Sequence, residues 1–219
     1  PDVAHAVVNA MLPCELGGRA IADVLLGKVV PSGKLPFTYP KTVTDSAVPY
    51  YHRQNLGCVV HGTSGECDHE WPFGGGLSYT SFEYSNMTMA ISNTSNAIEV
   101  AVTVRNAGAV DGQEVVLLFV RQDYREGDVP EAKRLIKFDK IHLGPGDVQV
   151  VRFQVLESDL GIFADTIGRG LRQVVTDGSY TLMFKADTDC TASSTNRSLC
   201  STFVSKTVVA PKWGPTAAT

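Results

Sequence analysis

The sequence predicts a mainly β chain, a two-sheet sandwich preceded by a short α/β piece. Three observations predict it. Apolar and polar residues alternate with a period of two from about residue 82 onward. Turn signals recur between the alternating segments. Ahead of them stand one amphipathic helix pattern and one short strand-like stretch, too little to close a core of their own.

The helix pattern runs Gly17-Gly18-Arg19-Ala20-Ile21-Ala22-Asp23-Val24-Leu25-Leu26-Gly27. It sets Ile21, Val24 and Leu25 on one face, and Gly27 suits the left-handed C-terminal cap. Glu15, just ahead, suits the positive end of the helix dipole. Pro31-Ser32-Gly33 turns the chain into a strand expected over 35–39, and Pro36 and Pro40 assign that strand to an edge. This α/β piece, residues 1–45, needs something to pack against, expected upstream. Residues 46–80, rich in Gly, His and aromatics, read as a connector.

In the next segment Ile98, Val100, Val102 and Val104 alternate with Glu99, Thr103 and Arg105. Asn106-Ala107-Gly108 and Asp111-Gly112 then mark turns. Further strands are expected over 114–120, 136–143, 149–155 and 180–185, divided by Gly144-Pro145-Gly146-Asp147 and Asp177-Gly178. Val100, Val102, Val104, Val116, Leu118, Phe153, Leu182 and Phe184 are the expected core. The sandwich is expected over 81–210, with no helix longer than a turn or two, and 211–219 as a tail.

Composition narrows the partners. With 43% hydrophobic and 19% charged residues in 219, the chain is ordinary globular protein. A net charge of -4 without a Lys or Arg block excludes neither fold nor enzyme, but it disfavours nucleic acid and anionic membrane. The longest apolar run in the strand region, 115–120, is far too short to span a bilayer. The chain opens on Pro1 with no leader pattern, so a processed protein or a fragment is expected. Five cysteines fall as two close pairs and a singleton, which suggests bridges Cys58–Cys67 and Cys190–Cys200 with Cys14 free. Sequons at Asn86, Asn93 and Asn196 agree with an oxidising, secreted or lumenal location.

Several stretches, in one order, match one family. The run 17–27 followed by Pro31-Ser32-Gly33-Lys34-Leu35-Pro36 resembles the end of the second, α/β-sandwich domain of family 3 glycoside hydrolases. Pro49-Tyr50-Tyr51-His52-Arg53-Gln54-Asn55 resembles their connector, and Trp71-Pro72-Phe73-Gly74-Gly75-Gly76-Leu77-Ser78-Tyr79-Thr80-Ser81-Phe82 the signature leading into their C-terminal domain. Val104-Arg105-Asn106-Ala107-Gly108, Asp111-Gly112-Gln113-Glu114-Val115-Val116, and 135–146 are similar to their fibronectin type III-like, immunoglobulin-like domain. Pro13-Cys14-Glu15, Gly75 and the tail from 187 depart from the family pattern.

The resemblance implies a retaining exo-acting β-glycosidase acting on a β-linked oligosaccharide or glycoside. Retention needs two carboxyl groups about 5 Å apart. In the family the nucleophilic Asp lies on a first, barrel-type domain and the acid/base Glu upstream of the helix at 17–27. Neither position falls in this chain, so no catalytic residue, cofactor or metal is expected here. The chain is expected to be scaffold, inactive alone. A free-standing carbohydrate- or protein-binding sandwich is the alternative; residues 14–40 discriminate, because such a module has no use for an orphan helix and edge strand.

Local chemistry offers weaker candidates. Asp68 and Glu70 stand two apart beside Trp71 and read as a solvated acidic loop. Cys58-x-x-His61 and Cys67-x-His69 carry zinc-ligand types, but the second spacing is unusual and a Cys58–Cys67 bridge is the simpler reading. Tyr50, Tyr51 and Trp71 could stack on sugar faces, though packing is the commoner use of such rings. His5, His52 and His142 stand alone.

Overall fold

In the computed structural model the described residues are 5–41, 50–51, 69–91, 97–163, 173–188, 190 and 194–205. Helix α1 (Gly17–Leu25) leads to β1 (Tyr39–Pro40), which pairs antiparallel with β2 (His69–Trp71). Then come β3 (Phe82–Ile91), β4 (Ile98–Asn106), β5 (Gly112–Gln122), β6 (Arg134–Leu143) and β7 (Val148–Val155). A one-turn helix α2 (Glu157–Leu160) precedes a small ladder of β8 (Ile162–Phe163) with β9 (Gln173–Val174). β10 (Gly178–Phe184), a 3-10 turn at Thr195–Leu199 and β11 (Cys200–Ser205) follow. The sandwich sheets have the orders β11-β10-β5-β6 and β3-β4-β7, and every pairing in them is antiparallel.

Alternation builds the core. Val100, Val102 and Val104 of β4 point inward beside Val151, Phe153 and Val155 of β7, and meet Val116 and Leu118 of β5 and Leu182 and Phe184 of β10. All eight residues expected in the core are buried. Phe153 stacks on Phe184 at 6.1 Å and Tyr180 on Phe203 at 5.5 Å, closing the core across and along the sheets. Among the described residues of the sandwich, the helical pieces are the four-residue α2 and the five-residue 3-10 turn.

β5 does not alternate, and the reason is burial on both sides. Its second face, Leu117 and Phe119, joins Met183 and Ala186 in a separate apolar cluster capped by Phe73 and Tyr50. The run 115–120 is therefore the mark of a strand covered on its outer face as well.

α1 forms where the pattern put it, and Gly27 follows at φ 70°, the left-handed conformation a C-terminal glycine supplies. The strand expected over 35–39 is shorter, Tyr39–Pro40. Its start is used differently: the Leu35 N–H donates to the Gly75 carbonyl and the Gly74 N–H to the Leu35 carbonyl, both at 2.8 Å. Pro36 has no N–H to extend that pairing. Among the described residues no helix is long and apolar enough to cross a membrane.

Candidate functional site

The motifs singled out by sequence converge where the α/β piece meets the sandwich. Gly74 lies at φ 79°, and a Cβ there would come within 2.8 Å of both Ala186 and Leu117. Only glycine lets this backbone approach the second face of β5 so closely. The pairing with Leu35 then lays the loop 31–36 across the same surface, and Lys34 reaches Glu114 of β5, its Nζ 2.9 Å from Oε2. The Tyr84 hydroxyl donates to the other oxygen, Oε1, at 3.0 Å. Glu114 is 7% exposed at its side chain and Lys34 20%, so the pair is largely out of water. Such a carboxylate is tolerable only with both of its oxygens satisfied. Burial, with Glu114 beside it, pushes the Tyr84 phenol far above the usual tyrosine range. The Lys185 ammonium lies 5.6 Å from the Tyr84 ring centre.

Two further contacts fix the joint. The Tyr79 hydroxyl donates to the Val24 carbonyl at 2.8 Å, tying the last turn of α1 to the strand signature. Asn106, fully buried, accepts from the Thr80 hydroxyl at 2.6 Å and donates to the carbonyls of Val110 and Leu143, both at 2.9 Å. That side chain welds the turn after β4 to the entry of β3.

The aromatic candidates divide. Tyr50 stacks on Phe73 at 4.0 Å and 16°, meets Phe119 edge-on at 6.1 Å, and its hydroxyl accepts from the Leu135 N–H at 3.3 Å. Its ring thus serves to cover β5. Tyr51 touches it edge-on at 5.3 Å and is 53% exposed. Trp71, half-buried on β2, packs edge-on to Tyr39 at 5.0 Å.

Cys190 is bonded to Cys200, ten residues on, and Cys14 is a free, exposed thiol. His69 and Glu70 are half-buried on β2, whereas Glu15, His5 and His142 are exposed. Asn86 is exposed on β3 and Asn196 half-buried in the 3-10 turn. His52, Cys58, His61, Cys67, Asp68 and Asn93 lie outside the described residues. Among the described residues no group of three or more His, Cys, Asp and Glu could hold a metal.

Sequence reasoning passed over Lys34, Tyr84 and Glu114 as a unit. A faint signal existed in Glu114, an acid opening the apolar run of β5. It also passed over Arg125, 5% exposed in the loop after β5, which donates to Gln122 at 3.0 Å, Asp128 at 3.1 Å and Glu131 at 2.7 Å. Those contacts fasten an otherwise polar loop.

Residues 1–79 match the glycosyl hydrolase family 3 C-terminal domain and residues 114–188 the fibronectin type III-like domain. A lysosomal β-glucosidase of Dictyostelium discoideum is 38% identical over 168 residues, covering 70% of this chain and 20% of that protein. A β-xylosidase of Formosa agariphila is 36% identical over 172 residues, 75% of this chain and 23% of that protein. The solved structure of a β-glucosidase from Erythrobacter marinus superposes with a TM-score of 0.67 at 33% identity, over 79% of this chain and 22% of that one. The chain spans between a fifth and a quarter of these relatives' lengths. It belongs to glycoside hydrolase family 3, whose C-terminal domain and fibronectin type III-like domain it carries.

Proposed function

We propose that this chain is the C-terminal scaffold of a retaining, exo-acting β-glycosidase of the β-glucosidase type, which removes terminal β-linked sugars. One observation carries the reading. α1 and the residues flanking it leave Leu12, Leu16, Leu25 and Leu26 exposed by 90%, 78%, 65% and 71%, apolar surface that upstream domains of such an enzyme would cover. The joint at Glu114 holds that surface in a fixed relation to the sandwich. A free-standing binding module would have no need of it.

The chain's part is support, not bond cleavage. A retaining site holds two carboxyl groups across one glycosidic bond. Among the described residues, buried Glu114 and half-buried Glu131 and Asp159 are matched to cations instead: Glu114 to Lys34, Glu131 to Arg125 and Asp159 to Lys137. Tyr51, half exposed at the joint, is the ring left to touch a sugar at the rim. The Cys190–Cys200 bridge and the sequons support a secreted or lumenal enzyme.

The test is turnover of aryl β-glucoside and β-xyloside. The chain alone should show none above buffer, and the same chain joined to upstream domains that carry both the nucleophilic Asp and the acid/base Glu should be active. Turnover by the chain alone, abolished by Asp68→Asn or Glu70→Gln, would place the chemistry in the connector and sink the scaffold reading.

A further inference from the structure

Of the two sequons within the described residues, the fold treats one as a display and the other as packing. β3 is the end strand of its sheet and contains a one-residue bulge: Ser85 pairs with Thr103, but the next partner, Ala101, is met by Thr88. The bulge places Asn86 at φ 52°, a left-handed conformation that asparagine tolerates better than most residues. Met87 turns inward and packs against the sandwich core, while Asn86 and Thr88 on either side of it are both exposed. The acceptor amide and the hydroxyl two residues on thus stand clear together. Asn196 is half-buried in the 3-10 turn Thr195–Leu199, with its N–H on the Ser194 hydroxyl at 3.2 Å. Buried Leu199 and bridged Cys200 pin that turn immediately afterwards.

We infer that Asn86 is an N-glycan acceptor in this chain and that Asn196 is not. The inference rests on the secretory reading above and not on hydrolytic activity. The donor is an oligosaccharide on a lipid pyrophosphate. The Asn86 Nδ2 forms a bond to C1 of the first sugar and gives up one proton to the transferring enzyme's base. The C1–oxygen bond breaks, and the lipid pyrophosphate leaves with its electron pair.

The test is to secrete the full 219-residue chain from a glycosylating yeast behind a signal peptide, then release glycans with peptide N-glycosidase in heavy-oxygen water. Peptide mass spectrometry then reads each site. Asn86 should carry the isotope label in most molecules and Asn196 in a small minority. Thr88→Ala should abolish labelling at Asn86 and Thr88→Ser should retain it, which separates loss of the acceptor from loss of the fold. Glycosylated Asn86 in cell-retained chain would support the site even without export. A bare Asn86 in exported protein, or Asn196 labelled as fully as Asn86, would overturn the inference.

Discussion

Val102 in β4 and Leu25 in α1 are both aliphatic and both in regular structure, yet Val102 is fully buried and Leu25 is 65% exposed. The same contrast holds for the regions around them. The sandwich buries its alternating residues between two sheets and a second apolar cluster beneath Phe73 and Tyr50. The single buried residue of α1 is Gly17. One region carries its own core, and the other leaves its aliphatic side chains largely exposed. What binds them is polar: an ion pair, a phenol and short backbone pairings.

The largest expected effect lies in the sandwich core. Phe184→Ala should cost about 3–5 kcal/mol in urea denaturation, as for other buried aromatics cut to alanine. A loss as small as that of a surface change would deny the sandwich its independent core. Cys190→Ser should cost about 3 kcal/mol, the chain entropy of a loop this short, and should loosen β11 first. Hydrogen exchange on β11 compared with β4 would show whether the loss is local.

The joint comes next. Lys34→Met should cost about 2 kcal/mol, less than a fully buried pair because Lys34 keeps some contact with water. Glu114→Gln should cost less, since an orphaned lysine can swing out whereas an orphaned buried carboxylate cannot. The reverse order in a double-mutant cycle would show that the carboxylate has another partner. Tyr84 adds a pH dependence. Its phenol stays protonated in the folded chain at a pH where an unfolded tyrosine ionises, so the unfolded state binds fewer protons there. Stability should therefore fall as pH rises above about 10, and Tyr84→Phe should flatten that slope. The smallest effect is in α1, where Leu25→Gln should change stability by less than about 0.5 kcal/mol while reducing aggregation in light scattering.

Legibility followed sequence separation. α1, β4 and β7 showed in their own periods, because each needs only local alternation to state which face goes inward. β3 lies within the alternation read from about residue 82 but was not singled out as a strand, and its bulge explains why. Phe82 and Tyr84 face the core, then Asn86 adds a residue and Met87 and Met89 take over the inward positions, so the period of two changes phase in mid-strand. β11 is short and lies beyond a 3-10 turn whose polar sequence gives no strand signal.

By itself the sequence determined the sandwich, its core residues, the orphan helix and the family, since all of these rest on local pattern or on motif order. The tertiary structure alone decided that Lys34 would neutralise Glu114 from eighty residues away, that Tyr50 would cover β5, and that Asn86 rather than Asn196 would stand open. The reason is physical. A carboxylate, a phenol ring and an asparagine each have an acceptable solvated state. Which of them leaves water depends on the surface the folded chain brings against it, and no local period encodes that surface.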